Sequence, residues 1–122
     1  MAGQALQRKR TAVVGCGKVA ATHALAWRRL PASNFVAVCD IAPQRAQALA
    51  AQFEVRAYSD LDEMIDKERV EVLSVCTQHT QHVPPVESAA PRGVHVIVEK
   101  PLAVDLPSCD RAIAAARTAA VK

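Results

Sequence analysis

Short apolar runs alternate along this chain with longer stretches in which apolar residues recur at helical spacing. The runs are typical of buried β-strands and lie at residues 11–14, 34–40, 55–58, 70–77 and 94–100. The intervening stretches predict helices at 19–30, from Pro43 to about residue 52, at 61–66 and after Asp105. Because the runs are apolar on both faces and alternate with helices, the chain is predicted to form a doubly wound α/β domain, a Rossmann-type parallel sheet of about five strands.

Several side chains mark helix ends and helix faces. Asp60 is expected to cap the helix at 61–66, with Glu63 completing a capping box, and Asp105 to cap the last helix. The first helix is expected to bury one face, formed by Val19, Ala20, His23, Ala24, Trp27 and Leu30. The last helix is expected to bury Cys109, Ile113, Ala116 and Ala120.

Prolines interrupt the segment between the fourth and fifth strands. Pro84 and Pro85 are compatible with a first helical turn, where amide hydrogens have no helical partner. Pro91 lies too far along for this, so the helix is expected to be short and to end or kink near Ala90. Gly93 then turns the chain into the fifth strand.

Composition makes this an ordinary globular chain. Its 122 residues are 51% hydrophobic but only 3% aromatic, so the core must be packed from Ala, Val, Leu and Ile. The length suits one domain over residues 1–122, with residues 1–9 as a flexible basic lead-in. The net charge is +3, and the basic cluster at 8–10 lacks a second cluster or interleaved aromatic residues. These features argue against nucleic-acid binding.

Other classes of protein are also disfavoured. The sequence has no run of about 18 apolar residues, which argues against a membrane span. Residues 1–10 lack the apolar core of a signal peptide. The four cysteines are widely spaced and form no C-x-x-C pair, so neither a metal site nor a disulfide framework is predicted. A reducing, cytoplasmic setting is expected.

The turn Gly15-Cys16-Gly17 separates the first strand from the first helix. It is either a tight turn alone or a cradle for the phosphates of a nucleotide. Gly15-x-Gly17-x-x-Ala20 in this setting matches the dinucleotide fingerprint. Gly15 permits the turn, Gly17 lets a pyrophosphate approach the backbone, and Ala20 lets helix and strand pack closely. The helix start adds free N–H groups for an anion.

Asp40 ends the second strand, 25 residues after Gly15. An acid near this spacing is typical of ribose recognition, since its carboxylate accepts hydrogen bonds from the 2′- and 3′-hydroxyls and repels a 2′-phosphate. The sequence therefore favours NAD over NADP. Two alternatives remain. In the first, Asp40 is only a solvated acid at the end of the strand. In the second, Arg45 supports NADP binding instead of being simply a surface residue of the second helix.

Three stretches resemble a known family: "VVGCGKVAATH" at 13–23, "CTQHTQH" at 76–82 and "GVHVIVEKPLAVD" at 93–105. Essentially the whole chain resembles the N-terminal cofactor domain of the Gfo/Idh/MocA oxidoreductases, which are sugar and inositol dehydrogenases and their relatives. The tripeptide Glu99-Lys100-Pro101 is the most specific part of this resemblance.

The resemblance implies a role for each matching residue. The pyrophosphate would be held by Gly15 and Gly17 and by the backbone of Cys16, Lys18 and Val19. Asp40 would hold the adenosine ribose, and Thr77 and His82 would lie beside the cofactor. Glu99 and Lys100 would lie at the nicotinamide end, with Lys100 directed toward the substrate oxygen, where a cation stabilises developing negative charge. Otherwise Lys100 would be a surface lysine paired with Glu99.

The sequence departs from the family pattern in places. Gln78 stands where the family usually has proline, and Pro84, Pro85 and Pro91 fall where it usually has an unbroken helix. After the position matching Lys122 the family continues with a sixth strand and a second α/β domain, which binds substrate and usually carries an acid/base histidine. His23, His79 and His95 are not expected to replace that histidine.

Three functional interpretations follow. The first is the NAD-binding domain of a longer Gfo/Idh/MocA-type oxidoreductase, catalytically incomplete alone, with substrate groups supplied by further sequence or by a separate chain. The second is a stand-alone NAD-binding sensor or regulatory module. The third, an interaction scaffold, is disfavoured because it does not need Gly15, Gly17 and Asp40. A homodimer through the exposed edge of the fifth strand is also predicted, unless the segment at 100–106 and the last helix fold back over that edge and leave a monomer.

Overall fold

Five parallel strands form one sheet in the computed structural model, which describes residues 7–122. The strands are β1 (Lys9–Val14), β2 (Ser33–Cys39), β3 (Arg56–Tyr58), β4 (Val72–Val75) and β5 (His95–Val98). Their order is β3-β2-β1-β4-β5. This confirms the predicted doubly wound topology. Residues 1–6 of the predicted basic lead-in lie outside the described part of the chain, and Lys9 already belongs to β1.

Five helices connect and flank the strands. They are α1 (Lys18–Arg29), α2 (Pro43–Phe53), α3 (Leu61–Glu68), α4 (Val83–Ala89) and α5 (Leu106–Ala119). Single 3₁₀ turns precede α4 at His79–Gln81 and follow it at Ala90–Arg92. None of the helices between residues 7 and 122 is long and apolar enough to cross a membrane.

The core lies on both faces of the sheet because successive strand residues point to opposite sides. Ala12 and Val14 pack with Met64 of α3 on one face. Val13 packs with Ala20 and Ala24 of α1 on the other. The alanines bring the helix close to the sheet, so the start of α1 stays near the end of β1.

Two predicted helix faces need correction. In α1, Ala20 and Ala24 are buried, but Val19 and Leu30 are exposed because they lie at the two ends of the helix. In α5, the fully buried residue is Ala112 rather than any of the four predicted ones. The reason is that α5 packs against the short helix α4, with Ala112 in a cluster with Val83 and Val86, instead of lying flat on the sheet.

The helix ends agree closely with the sequence. Asp60 accepts a hydrogen bond from the backbone N–H of Glu63 at 3.0 Å, and Asp105 accepts one from Ser108 at 2.8 Å. The second half of the predicted capping box does not form, since the Glu63 carboxylate binds Lys67 at 2.7 Å instead. The helix α4 is short as predicted and gives way at Ala90 to the 3₁₀ turn that contains Pro91. Gly93 follows with φ of 76°.

The outer edge of β5 is covered at one position. The N–H of Val96 donates to the carbonyl oxygen of Lys122 at 3.0 Å, and the N–H of Lys122 donates to His95 Nδ1 at 3.0 Å. The contact comes from Lys122, which follows α5, whereas the alternative to a dimer placed the 100–106 segment and the last helix over this edge. The homodimer stays a prediction.

Glu68, at the end of α3, is a buried residue whose carboxylate contacts side chains of the strands β1 and β3. It is only 4% exposed. Its Oε1 atom lies 3.2 Å from Arg10 Nη2, and its Oε2 atom accepts a hydrogen bond from the Tyr58 hydroxyl at 2.6 Å. Arg56 lies at 3.4 Å. The carboxylate thereby links α3 to the strands β1 and β3.

We expect Glu68→Ala to lower the free energy of unfolding by about 2 kcal/mol, because it removes the hydrogen bonds of the buried carboxylate to Arg10 and to the Tyr58 hydroxyl. Glu63→Ala on the same helix is the matched control. It removes only an exposed i,i+4 pair with Lys67 and should cost less than about 0.5 kcal/mol. Urea unfolding followed by circular dichroism measures both. Equal losses in the two variants would contradict a stabilising role for Glu68.

Candidate functional site

A cavity of about 490 Å³ opens at the carboxyl ends of β1, β2 and β4. At this point of the sheet the connections switch from one face to the other, which is where doubly wound folds bind ligands. The cavity is lined by Val14, Gly15, Cys16, Gly17, Cys39, Asp40, Ile41, Arg45, Ser59, Leu61, Cys76, Thr77, Gln78, Gln81, Pro84, Pro85 and Ser88.

Gly15 lies where no side chain can be accommodated. Its φ is 87°, in the region that favours glycine. A Cβ atom built on it would lie 2.5 Å from the backbone nitrogen of Thr77 and 2.6 Å from the carbonyl oxygen of Cys76. Its N–H also donates to the carbonyl oxygen of Cys39 at 2.8 Å. The residue therefore holds the loops after β1, β2 and β4 together.

Gly17 is different, because a Cβ atom built on it would meet nothing within 4 Å. It is the N-cap of α1, has an ordinary extended conformation and forms part of the cavity wall. No side chain caps the start of α1. The first amides of the helix, including those of Lys18 and Val19, are thus available to an anion. The side chains of Lys18 and Val19 do not line the cavity.

The Asp40 carboxylate accepts four N–H groups. It binds the backbone N–H groups of Cys16 and Ala42, both at 2.8 Å. Arg45 adds a bidentate contact, with Nε at 3.2 Å and Nη2 at 2.9 Å. A carboxylate offers about four lone-pair sites, so this one is fully engaged. The sequence located the acid correctly but did not predict that Arg45 covers it.

The charge of Asp40 is stable in this setting. Burial raises the pKa of its carboxyl group, but the hydrogen bonds from Arg45, Cys16 and Ala42 outweigh burial and hold that pKa below its ordinary value. The stabilisation that goes with the lowered pKa is present above the ordinary pKa of an aspartate and is lost as the pH falls through the folded-state value. At neutral pH the residue is an ion pair with Arg45.

The loop after β4 forms the opposite wall. Thr77 faces the cavity, and its hydroxyl donates to the carbonyl oxygen of Gln81 at 2.7 Å. Gln78 begins the 3₁₀ turn, and Pro84 and Pro85 add apolar surface to the wall. Gln78, Pro84 and Pro85 therefore shape this side of the cavity.

His82 does not line the cavity. It is 1% exposed, with Nδ1 at 2.6 Å from the carbonyl oxygen of Pro101 and Nε2 at 3.1 Å from that of Thr77. Any effect of His82 on a ligand in the cavity would therefore pass through the loop of Thr77 or the turn at Pro101.

Glu99 and Lys100 follow β5 and lie outside the cavity lining. Glu99 Oε1 lies 2.7 Å from His23 Nε2, and this hydrogen bond is the main reason why the pKa of Glu99 lies below its ordinary value. Lys100 is exposed, and its ammonium forms no salt bridge with any residue in the described range. The expected alternative, a Glu99–Lys100 pair, is replaced by the Glu99–His23 pair.

Three cysteines surround the glycine turn. Cys39 and Cys76 are buried and Cys16 is half-buried, and all are free thiols. Burial raises the pKa of each thiol to about 12. They are neutral packing residues at physiological pH. No cluster of three or more possible metal ligands occurs between residues 7 and 122.

A second, more open groove of about 620 Å³ lies between α4 and α5. It is lined mainly by alanines, with Glu87 and Arg111 paired at its side. It lies away from the carboxyl ends of the strands and contains none of the residues predicted for the site. The smaller cavity is the functional candidate.

Two features of the site were not predicted from the sequence. Ile41, directly after Asp40, is 88% exposed and lines the cavity. An apolar residue in the loop next to Asp40 was a usable signal for this apolar part of the cavity wall. The pairing of His23 with Glu99 joins residues 76 positions apart, and no local pattern could reveal it.

Comparison with known proteins identifies a family and several relatives that are similar to this chain. A model of the oxidoreductase family with an NAD-binding Rossmann fold matches residues 9–122. D-apiose dehydrogenase of Paraburkholderia graminis is 32% identical over 95% of this chain and 31% of its own length. Inositol 2-dehydrogenase of Salmonella typhimurium is 34% identical over 84% of this chain and 32% of its own length.

A solved structure gives the same result. The WlbA dehydrogenase of Bordetella pertussis, in complex with NADH and UDP-GlcNAcA, superposes with a TM-score of 0.89 at 28% identity. The match covers 95% of this chain and 36% of WlbA. The chain thus spans about a third of the length of the relatives it matches.

The two glycines should respond differently to the same substitution. Gly15→Ala should destabilise the fold by at least about 2 kcal/mol, because the new methyl group meets backbone atoms at a positive φ. Gly17→Ala should change the free energy of unfolding by less than about 1 kcal/mol, since its conformation suits alanine. Thermal unfolding measures both effects. A stable Gly15→Ala variant would contradict the close approach of the loops.

Proposed function

The chain belongs to the family of oxidoreductases with an NAD-binding Rossmann fold, the Gfo/Idh/MocA family, and from this premise we propose that it binds NAD in the cavity beside the glycine turn. We further propose that it acts as the cofactor domain of a dehydrogenase of sugars or related polyols. The observation that carries the proposal is the open side of Gly17 at the uncapped start of α1, facing the same cavity as Asp40.

The pyrophosphate is proposed to bind over Gly17. With no atom within 4 Å of its Cβ position, a phosphate oxygen can approach the backbone closely. The amides of Lys18 and Val19 point along α1 toward this space, and the partial positive charge of the helix start favours an anion there. Cys16 lines the same space, but its backbone N–H is already bound to Asp40 and is not free to donate to a phosphate.

The adenosine ribose is proposed to bind at Asp40. Its hydroxyls compete there with Arg45, whose side chain is 57% exposed and can turn toward solvent. The backbone bonds from Cys16 and Ala42 remain and keep the carboxylate in place. NADP carries a 2′-phosphate that this carboxylate repels, but a displaced Arg45 could bind that phosphate. NAD is therefore the preferred cofactor, and Arg45 reduces the difference in affinity between NAD and NADP.

The nicotinamide end is proposed to lie toward Thr77 and the turn that follows β5. A bound nicotinamide supplies the acceptor for a hydride from the substrate carbinol. The ammonium of Lys100, exposed and without a salt bridge in the described part of the chain, would stabilise the negative charge that develops on the substrate oxygen. Glu99 is held by His23 and would position this turn, with His82 acting from its other side.

Titration calorimetry with NADH and NADPH tests the cofactor proposal. We expect NADH to bind more tightly than NADPH. Asp40→Asn should weaken NADH binding about tenfold, because a neutral amide accepts fewer hydrogen bonds from the ribose. Arg45→Met should weaken NADPH binding more than NADH binding. Tighter binding of NADPH by the unaltered chain would rule out the role of Asp40, and absence of binding by either would rule out the function.

The 122-residue chain by itself is not expected to oxidise polyols at a useful rate. Hydride transfer requires the donor carbon to be held against the nicotinamide, and such orientation supplies much of an enzyme's rate. Lys100 is exposed and has no second wall opposite it in the described residues. NADH formation from a panel of polyols measures this. Turnover that Lys100→Met abolishes would contradict the expectation, and NADH binding without turnover would keep the sensor alternative open.

A homodimer through β5 is proposed as a further partner interaction. Ile97 is exposed on this strand. On the outer edge of β5, the only N–H group with a backbone partner among the described residues is that of Val96, which donates to the carbonyl oxygen of Lys122. Light scattering should give twice the mass of one chain, and Ile97→Lys should return the monomer. A monomer at micromolar concentration would favour coverage by the segment after α5.

A further inference from the structure

The turn at residues 99–101 is held from two sides by histidines that belong to different elements. From α1, His23 Nε2 lies 2.7 Å from Glu99 Oε1. From the segment before α4, His82 Nδ1 lies 2.6 Å from the carbonyl oxygen of Pro101. Lys100 lies between these two attachment points and is itself exposed. The position of its backbone thus depends on both histidines.

Both ring nitrogens of His82 face carbonyl oxygens. Nδ1 faces Pro101 and Nε2 faces Thr77, the latter at 3.1 Å. A carbonyl oxygen only accepts, and the shorter of the two contacts, at 2.6 Å, identifies Nδ1 as the nitrogen that donates to Pro101. Water cannot replace a lost partner at a residue that is 1% exposed. His82 therefore ties the turn after β5 to the loop after β4.

His23 is fixed by a buried hydroxyl. Its Nδ1 atom lies 3.0 Å from Ser74 Oγ, which also accepts a hydrogen bond from the Trp27 indole N–H at 2.8 Å. Ser74 is fully buried on β4. A continuous chain of contacts thus runs from Trp27 to Glu99. Because Trp27 is the only tryptophan, its indole signal reports on this chain of contacts.

We propose that His23 and His82 are positioning residues that hold the Glu99–Lys100–Pro101 turn from opposite sides. The significance of a fixed Lys100 rests on the proposed function, because its position matters for chemistry only if its ammonium faces the cofactor. A lysine on an unanchored turn would lose more conformational entropy on reaching a single productive position.

The first test is nitrogen-15 NMR of the histidine rings in the 122-residue chain without cofactor. We expect the Nδ1–H proton of one ring to exchange slowly with water, because it is bound to the buried carbonyl oxygen of Pro101. This signal should disappear in His82→Gln and persist in the matched control His79→Gln. A His82 ring that carries no proton on Nδ1 would overturn the contact with Pro101.

The second test compares two variants of His82 that keep different contacts. An asparagine amide lies near the position of Nδ1 and can still bind Pro101, whereas a glutamine amide reaches toward the position of Nε2 and Thr77. His82→Gln should speed hydrogen exchange at residues 99–103 about tenfold, the effect of losing one buried hydrogen bond. His82→Asn should speed it less than about threefold. Equal effects of the two variants would overturn the role of the Pro101 contact.

The third test does not alter a buried residue, so it stands even if the His82 variants fail to fold. Glu99→Gln should shift the Trp27 indole N–H signal and speed exchange of the turn, while the control Glu87→Gln on α4 should change neither. No shift and no change in exchange would overturn the role of His23. NADH titration of the unaltered chain separates the two proposals, because loss of binding there would overturn the cofactor site and leave these contacts intact.

Discussion

The loop after β4 passes so close to the loop after β1 that no side chain fits between them. A methyl group at Gly15 would lie 2.5 Å from the nitrogen of Thr77. This contact brings the ends of β1 and β4 together on one side, and the hydrogen bond from Gly15 to Cys39 brings in β2 on the other. The cavity, its acid and its helix start all depend on the absence of this one Cβ atom.

The site is organised around backbone groups more than side chains. Gly17 offers an open approach to the amides of α1, and the amides of Cys16 and Ala42 hold Asp40. Side chains act at two further places: Arg45 covers the Asp40 carboxylate, and His23 and His82 hold the turn that carries Lys100. Because α1 contacts the sheet through buried alanines, its first turn stays fixed beside β1.

Local signals predicted most of the fold. Asp60, Asp105, Pro91 and Gly93 act within a few residues of their own position, and each behaves as predicted. The buried face of α5 was predicted wrongly because it depends on a neighbouring helix, and helical spacing alone does not say which neighbour a helix meets.

The same distinction applies to the site. Gly15, Gly17 and Asp40 follow a short motif and lie together at the cavity, as the sequence predicts. The cover that Arg45 provides, the burial of His82 and the His23–Glu99 pair depend on side-chain directions and on contacts between distant segments. Only the folded chain brings those groups together.

The Asp40–Arg45 ion pair also has a kinetic consequence. While it is closed, the carboxylate is neutralised, and an approaching anionic ligand meets little repulsion at the entrance of the cavity. In the proposed complex, the pair opens when ribose hydroxyls compete for the carboxylate, after the first encounter. Association would then proceed in two steps. The rate of the first step would depend weakly on salt concentration near Asp40. The second step, a slower rearrangement, would be faster at high ionic strength because salt screens the ion pair.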